Sequence, residues 1–428
     1  MTLKGGFAVP EKWYKVDNVA KLFLATMNRR DPRVFRISCT LNEEVDPELL
    51  ARALERTARE LPNFQVTLHR GLFWHYFEST DKLPVPEPEN KQPCSALYGP
   101  DQKNALLYRV SYYGARINLE MLHALTDGNG GLMFLKCLVH NYLQLRHPEE
   151  LAGVPREQGA SAADLEQNSY SKFYADRRAD KSSTDAAAKR RVCRLRGRLP
   201  LDQTQFFEAH LSASEVLTQA RALSVSMTSY LAAAQMLAAW RELPALERGR
   251  AMAVGLPVNL RNYFPSHTAR NFFNTVRVAH IFTGDETLES LAKEFDQKLR
   301  AALSDDRIKA QMDGFERFER IPGVRPVPLV LKNWVVSLCN WVEARKVTLT
   351  ISNMGRIPVA EALQPYIHGF AAFCSTPSLF TTVCSYGDDL VLGTASAYRS
   401  TNVLKNFYRS LADAGLSITL YASEVQSL

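Results

Sequence analysis

The sequence predicts a mixed α/β protein, of the α+β kind, built from two similar domains. Its 428 residues exceed what one ordinary core holds. Hydrophobic residues make up 46% and charged residues 23% of the chain, which is a globular composition. Strand-like and helix-like patterns alternate in both halves, and the stretch 149–200 between them loses this periodicity. We therefore expect domains at 1–148 and 201–428, joined by a linker or crossover at 149–200.

The first half begins with a strand, a helix and a hairpin. Apolar residues recur with period two over 35–41, which is typical of a half-buried strand. Asp46 and Pro47 then supply an N-cap and a first-turn proline for a helix that ends at Pro62. Two strands on either side of Gly71 have the pattern of a hairpin.

The segment of greatest chemical interest follows the next two strands. They are predicted near 106–112 and 116–122, and His123 comes directly after the second. The glycines of 128–131 then open a helix with one apolar face. A histidine between a strand end and a glycine-rich turn into a helix lies where active-site groups are accessible.

The second half repeats the alternation of helices and strands. Ser212 and Glu215 have the spacing of a capping box, and Gly415 is placed to end a final helix. The predicted helices cover 213–223, 227–242, 288–303 and 402–414, and the predicted strands lie near 251–258, 275–282, 347–351, 379–386 and 390–397. These elements predict a second mixed domain.

Charge, cysteine spacing and hydropathy exclude several classes of protein. A net charge of +7 permits polyanionic partners but is too weak to indicate nucleic acid. The seven cysteines are scattered and have no metal-ligand spacing, so we expect no metal and a reducing compartment. No stretch reaches the ~18 apolar residues of a membrane span, and Met1 to Pro10 lack a signal-peptide core. We expect an unexported, cytoplasmic protein.

Common enzyme signatures are missing from the sequence, which directs attention to one histidine. There is no Gly-x-Ser-x-Gly elbow, no Walker phosphate loop and no His-Glu-x-x-His helix. The segment His123-Ala-Leu-Thr-Asp127-Gly128 remains, and an unperturbed histidine pKa of ~6.5 suits a general base near neutral pH. Four other histidines lack motif neighbours and are interpreted as incidental: His69, His75, His140 and His210.

Four segments in order resemble one superfamily, that of the chloramphenicol acetyltransferases, alcohol acetyltransferases, plant acyltransferases and peptide-synthetase condensation domains. The first is the His-x-x-x-Asp-Gly segment above. Pro257-Val-Asn-Leu-Arg261 resembles the arginine-bearing segment of the second domain, and Asn271-Phe-Phe-Asn-Thr-Val resembles the segment after it. Ile351-Ser-Asn-Met-Gly-Arg resembles the strand end of bacterial alcohol acetyltransferase-like members.

Departures from the superfamily's patterns narrow the resemblance. The Asp-Phe-Gly-Trp-Gly segment of the plant branch is missing. Condensation domains usually carry two adjacent histidines, whereas Leu122 precedes His123 here. No carrier-like segment is evident either. The pattern favours a free-standing enzyme of the bacterial alcohol acetyltransferase-like branch that uses a diffusible thioester.

The resemblance implies an acyl-CoA-dependent O-acyltransferase of the chloramphenicol acetyltransferase-like fold, with its active site in a tunnel at the domain interface. Acyl-CoA would be a co-substrate, with no permanently bound cofactor, and the acceptor would be a small alcohol or amine. Because no nucleophilic serine or cysteine motif accompanies His123, direct attack is expected. Two alternatives stay open: a carrier-protein-dependent condensation or ester-forming enzyme, and a silent binding protein that keeps the fold.

Roles for further site residues follow partly from the resemblance. It suggests that Asp127 is structural and forms a salt bridge with Arg261. The oxyanion of the tetrahedral intermediate needs fixed donors, for which Gly128 and either Ser352 or Asn353 are candidates.

Two further groups are assigned from charge and hydropathy. Nine cations lie between Arg177 and Arg198; such a run is more often a solvated linker, but part of it is a candidate for binding CoA phosphates. An apolar stripe at helical spacing is a candidate acceptor pocket, although core packing is the commoner explanation. The CoA candidates are Arg190, Arg191 and Arg194, and the acceptor-pocket candidates are Trp334, Leu338 and Trp341.

Overall fold

A computed structural model describes residues 13–99, 102, 104–155, 161–177, 191–201, 203–319 and 327–423. Two large β-sheets with packed helices form most of this part of the chain, and a small third sheet adjoins them. The predicted mixed α/β class is therefore confirmed.

The strands and helices are numbered in chain order. The strands are β1 Trp13–Lys15, β2 Val34–Leu41, β3 Val66–Arg70, β4 His75–Ser79, β5 Glu87–Pro88, β6 Tyr108–Tyr113, β7 Arg116–Leu122, β8 Gln205–Ser212, β9 Met252–Asn259, β10 Phe273–His280, β11 Leu349–Arg356, β12 Ile367–Cys374, β13 Leu379–Tyr386, β14 Asp389–Ser396 and β15 Thr419–Ala422. The helices are α1 Asn18–Thr26, α2 Pro47–Glu60, α3 Gly128–Arg146, α4 Ala162–Glu166, α5 Ser169–Phe173, α6 Ala213–Ala222, α7 Met227–Arg241, α8 Leu288–Ala302, α9 Asp305–Glu319, α10 Leu329–Ala344 and α11 Asn402–Asp413.

The first large sheet has the order β12-β2-β7-β6-β5. Its central strands β2 and β7 are almost entirely buried, and α2 and α3 cover it with apolar side chains such as Leu54 and Phe134. Strand β12 comes from the last third of the chain and pairs antiparallel with β2. The first sheet is thus completed by a strand that the sequence patterns did not predict.

The second large sheet has the order β10-β9-β11-β13-β14-β8-β15. Strand β11 is parallel to both neighbours, β9 and β13, whereas the other pairs are antiparallel. Helix α7 lies in its core, and every residue from Ser229 to Ala239 is buried. The parallel strand β11 places its carboxyl end, Ser352 to Arg356, at the edge where the candidate site lies.

Several local predictions are confirmed by the cap geometry. The Asp46 carboxylate accepts from the Glu48 and Leu49 amides at 2.9 and 3.0 Å. The Ser212 hydroxyl accepts from the Glu215 amide at 3.2 Å, which caps α6. Gly415 has a φ of +88°, a left-handed conformation that favours glycine after a helix. The predicted domain boundaries stay a prediction.

Within the described ranges, no helix taken alone has the length and apolar character needed to cross a membrane; α6 and α7 reach the threshold only as a pair bent by 83°.

Candidate active site

His123 occupies the turn between β7 and α3, and both of its backbone polar groups are bonded. Its amide donates to the Arg33 carbonyl at 2.7 Å, and its carbonyl accepts from Nδ2 of Asn271 at 3.0 Å. Arg33 directly precedes β2 in the first sheet, and Asn271 lies just before β10 in the second. The backbone of His123 is therefore fixed by both halves of the fold.

Three aromatic rings surround the imidazole. The ring centroids of Phe23, Phe35 and Phe273 lie 4.5, 5.0 and 5.6 Å from that of His123. Burial among these rings lowers the pKa of His123 below its ordinary value, because the charged form loses solvation; the negative charge of Asp127 opposes this shift. The imidazole is therefore neutral at pH 7, the form that accepts a proton.

The two ring nitrogens of His123 differ in access. Nδ1 is buried and has no hydrogen-bond partner among the described residues. Nε2 likewise makes no hydrogen bond within the described ranges, but it is not buried as Nδ1 is, and the residue is partly exposed. Nε2 is thus the nitrogen open to a bound molecule.

Asp127 is the N-cap of α3, and the described partners of its carboxylate do not include the His123 ring. Oδ1 accepts from the amides of Asn129 and Gly130, each at 3.1 Å. Oδ2 accepts from the Phe272 amide at 2.9 Å and from Nη1 of Arg261 at 2.7 Å. These bonds connect the turn to the second sheet through a single carboxylate.

The predicted ion pair between Asp127 and Arg261 is confirmed. Both side chains are buried, with 6% and 10% of their surface exposed. The remaining guanidinium donors of Arg261 reach backbone oxygens, including those of Thr268 and Arg270 at 2.8 Å. Because a planar fork serves several acceptors at once, arginine fits this position better than lysine.

Of the three glycines at the start of α3, two have no room for a side chain. A Cβ on Gly130 would lie 2.4 Å from the Ala269 carbonyl oxygen, and one on Gly131 would lie 2.6 Å from the Phe35 ring. Gly128 has room for a side chain, with only the Met354 methyl nearby at 3.6 Å. As the first residue of α3, Gly128 has an amide that no helical carbonyl can reach.

The oxyanion candidates come together in part. The Met354 contact places the end of β11 beside Gly128. The side chain of Asn353, however, donates to Oγ1 of Thr228 at 2.9 Å and accepts from the Gly355 amide at 2.8 Å. The structure therefore brings the end of β11 close to the turn, while the Asn353 side chain already bonds two other groups.

The acceptor-pocket assignment of Trp334, Leu338 and Trp341 is wrong. These side chains lie on the outer face of α10 and are 66%, 49% and 52% exposed. The opposite face of α10 packs on α1, where Oγ of Ser337 donates to the Ala25 carbonyl. The helical spacing of these residues is confirmed, but the apolar face of α10 turns outward, so it is not packed in the core either.

The structure does not place the CoA candidates beside His123. Arg190 lies outside the described residues. Arg191 and Arg194 flank a bridge to Ala251, which precedes β9, whereas Arg261 follows the other end of that strand. Eight residues of strand separate the two ends by about 26 Å.

Two polar residues at the site carried no predicted role. Asn271, which holds the His123 carbonyl, also donates to Oδ2 of Asp17 at 3.4 Å. Asp17 caps α1, is 2% exposed, and has its pKa raised to about 6 by burial. Asn271 begins one of the segments that resemble the superfamily, so the sequence did indicate it, whereas no sequence pattern indicates Asp17.

No cluster of three or more metal-ligating side chains occurs in the part of the chain that the structure describes. The described cysteines of the core are poor nucleophiles, because burial raises the pKa of the Cys374 and Cys384 thiols to about 12.

Comparison with protein families gives one match. Residues 210–364 match the family described as phthiocerol/phthiodiolone dimycocerosyl transferase C-terminus. This segment includes the arginine-bearing turn and the strand end beside Gly128. No curated protein sequence is similar enough to the chain to count as a match.

Solved structures match over nearly the whole chain. Polyketide synthase associated protein 5 from Mycobacterium tuberculosis has 16% identity and a TM-score of 0.65, covering 94% of this chain and 98% of its own. Trichothecene 15-O-acetyltransferase from Fusarium sporotrichioides has 15% identity and a TM-score of 0.62, covering 95% of both chains. TRI101 of the same fungus, complexed with coenzyme A and T-2, has 9% identity and a TM-score of 0.64, covering 95% of this chain and 99% of its own.

Condensation domains of peptide synthetases are also among the matching structures. At these identities the comparisons establish the fold, which is the two-domain fold of acyltransferases and condensation domains. The resemblance drawn from the sequence motifs is confirmed at that level.

Proposed function

We propose that this chain, which has an acyltransferase-type fold, transfers an acyl group from acyl-CoA to a hydroxyl or amine of a small acceptor, with His123 as the general base. The observation that carries the proposal is the state of His123. Its imidazole is kept neutral by burial, is fixed through its backbone, and leaves Nε2 open. These are the requirements for accepting a proton from an acceptor.

The reaction needs no covalent enzyme intermediate. Nε2 removes the proton of the acceptor hydroxyl as its oxygen attacks the thioester carbon. The tetrahedral intermediate then collapses, the carbon–sulfur bond breaks, and the departing thiolate takes the proton from the imidazolium. The products are an ester and free CoA, and His123 returns to its neutral form. The high pKa of Cys374 and Cys384 agrees with direct attack.

The negative charge of the intermediate requires a donor that is in place beforehand. The Gly128 amide at the start of α3 supports this role, because the helix dipole adds positive character there. Ser352 and Asn353 remain second candidates. Asp127 and Arg261 act by positioning the turn, not by moving protons.

The proposal that acyl-CoA is the donor is supported by similar solved structures. TRI101 from Fusarium sporotrichioides was solved as a complex with coenzyme A and T-2. Binding of CoA phosphates by Arg190, Arg191 and Arg194 stays a prediction, as do a tunnel at the domain interface and a cytoplasmic location. A carrier-protein-dependent reaction is the alternative, supported by the matching condensation domains. A catalytically silent binding protein that keeps the fold is the third reading.

The test is release of free thiol from matched donors. The purified chain is given one acyl group as its CoA thioester and as its carrier-protein thioester, with a panel of alcohols and amines. We expect acceptor-dependent thiol release from acyl-CoA, and a rate about 10²-fold or more lower from the His123→Ala variant. Release from the carrier thioester alone would favour the alternative, and no release from either donor would favour the silent binding protein.

A further inference from the structure

Helix α10 presents its apolar face to solvent, the reverse of an ordinary surface helix. Its exposed residues recur at spacings of three and four, so they form one continuous ridge. We call them the apolar ridge: Leu331, Trp334, Val335, Leu338, Trp341 and Val342.

The polar side of α10 holds the helix to the protein. Oγ of Ser337 donates to the Ala25 carbonyl of α1, and Nζ of Lys332 donates to the Phe73 carbonyl at 3.1 Å. The Leu329 amide donates to the Leu72 carbonyl at 2.9 Å. The hairpin tip between β3 and β4 therefore adjoins the start of the ridge, and it adds exposed Leu72 and Trp74.

The extent of the ridge exceeds what scattered surface residues produce. A helix of 16 residues is about 24 Å long, and the two tryptophans lie seven residues apart on one face. Each tryptophan can remove roughly 150 to 250 Å² from water when covered. Contiguous apolar patches of several hundred Å² mark binding surfaces in most proteins.

Positive charge continues the ridge at its C-terminal end. The Arg345 guanidinium lies 3.2 Å from the centroid of the Trp341 ring. Just beyond it, Oγ1 of Thr348 donates to the Cys193 carbonyl at 3.1 Å, which brings the chain around Arg194 beside the helix end. Four exposed arginines lie within electrostatic reach of Arg194 or at this helix end, and we call them the basic cluster: Arg191, Arg194, Arg198 and Arg345.

Glu247, an acid beside the basic cluster, is shared with two other arginines. Buried Glu247 bonds Arg196 and Arg250 at 3.2 and 2.6 Å. The pKa of Arg194 is lowered, first by desolvation and then by the charges of Arg345, Arg198 and Arg191. This repulsion agrees with the geometry above, which brings Arg194 beside the end of α10.

We propose that the apolar ridge and the basic cluster together form a surface that binds anionic lipid bilayers. Tryptophan and aliphatic side chains enter the boundary between headgroups and acyl chains, and adjacent arginines bind the lipid phosphates. The helix lies in the plane of the interface, since about 24 Å is shorter than the ~30 Å hydrocarbon core. An apolar face alone would suit a second copy of this protein equally well. The adjacent basic cluster favours an anionic bilayer instead, because its cations match the lipid phosphates.

The proposed surface lies close to the candidate active site. Helix α10 packs on α1, and Phe23 of α1 contacts the His123 ring. One helix therefore separates the bilayer-facing side from the imidazole. Docking would place the site next to a lipid phase without any change of fold.

The test is binding of the full chain to vesicles, which requires no catalytic turnover and so fails independently of the proposed function. Vesicles of phosphatidylcholine with phosphatidylglycerol are compared with phosphatidylcholine alone by flotation at low and high salt. We expect salt-sensitive binding to the anionic vesicles. The double variant Trp334→Gln/Trp341→Gln and, separately, Arg194→Gln/Arg345→Gln should each weaken it by about tenfold or more. Quenching of tryptophan fluorescence by brominated acyl chains should require Trp334 and Trp341.

Control variants replace exposed apolar or basic residues elsewhere on the surface. Val85→Ser removes an exposed apolar residue outside the ridge, and Arg52→Gln/Arg409→Gln removes two exposed cations outside the cluster. Both should bind as the unchanged chain does. Absence of vesicle binding by the unchanged chain would overturn the proposal, as would equal binding by the tryptophan variant. A self-association that the tryptophan variant abolishes, without vesicle binding, would assign the ridge to a dimer interface instead.

Discussion

His123 and His210 are the same residue type in opposite surroundings. Three phenylalanine rings enclose His123, and its Nδ1 has no partner among the described residues. His210 lies between carboxylates: Nδ1 is 3.0 Å from Oδ1 of Asp389, and Nε2 is 3.1 Å from Oε1 of Glu208. Glu208 also pairs with Arg116, so His210 belongs to a small network of charges.

These surroundings shift the two pKa values in opposite directions. Hydrogen bonds that the ring donates to Asp389 and then to Glu208 raise the pKa of His210 to about 9. Burial lowers the pKa of His123. At neutral pH one ring is charged with both nitrogens occupied, and the other is neutral with one nitrogen open. A candidate base is thus recognised by the polar partners that its ring lacks.

The sharpest test of this comparison replaces each histidine by alanine. We expect His123→Ala to lower acyl transfer by about 10²-fold or more, as loss of a general base does, while the fold is kept. His210→Ala should keep the activity, because its ring is bonded on both sides far from the turn. Steady-state thiol release and circular dichroism measure the two effects. A folded His123→Ala protein with near-normal turnover would contradict the proposed base.

The Asp127–Arg261 pair should give the next largest effect, on stability. Arg261→Ala leaves a buried carboxylate without its charge partner, which costs about 3 to 5 kcal/mol. Arg261→Lys should recover only part of this, since one ammonium cannot replace bonds to several acceptors. Urea unfolding measures both variants. Arg277→Ala, a change at a partly exposed arginine on β10, is the control. Losses below about 1 kcal/mol for Arg261→Ala would show that the turn is held by its backbone bonds.

Sequence patterns predicted the parts of the fold that have local signals. Asp46 and Ser212 cap helices as their spacing indicated, and the turn from β7 into α3 was identified from its glycines and its position. Strand β12 was missed because Ile-His-Gly-Phe-Ala-Ala-Phe-Cys is nearly continuous in apolar residues, a pattern that a buried helix shares. Its identity is decided by β2, more than 300 residues away.

The site could be predicted as far as its motif extends. His123, Asp127 and Arg261 were found because the resemblance names them, and the ion pair followed. We call the rings of Phe23, Phe35 and Phe273 around His123 the aromatic cage. It was not predicted, because Phe23 and Phe35 belong to separate elements whose sequences do not indicate that they meet. The ridge on α10 shows the same limit: periodicity gives the spacing of a face but not the side it turns to.

A smaller effect is expected from His210 on stability, with a defined pH dependence. Its folded pKa of about 9 exceeds the ordinary value of 6.5, so its stabilisation is complete below pH 6.5 and lost as the pH rises through 9. Allowing for its partial exposure, we expect His210→Ala to cost about 1 to 3 kcal/mol at pH 6.5 and little at pH 10. Urea unfolding at both values measures this, with exposed His368→Ala as control. An equal loss of stability at pH 6.5 and pH 10 would mean that the His210 ring is not held in its charged form, contrary to the contrast with neutral His123 described above.

The smallest effect is a displacement of the acid limb of kcat/KM, which reports the free enzyme's base. Because burial lowers the pKa of His123, activity should fall on acidification with an apparent pKa below 6.5. Asp127 opposes that shift, so Asp127→Asn, which can still cap α3, should move the limb to lower pH while reducing the rate. Asp17 also titrates near 6, and Asp17→Asn separates the two groups: the limb should persist when His123 is its source. A limb above 6.5 in the unchanged chain, or one that vanishes in Asp17→Asn, would mean that the aromatic cage does not set the protonation of the base.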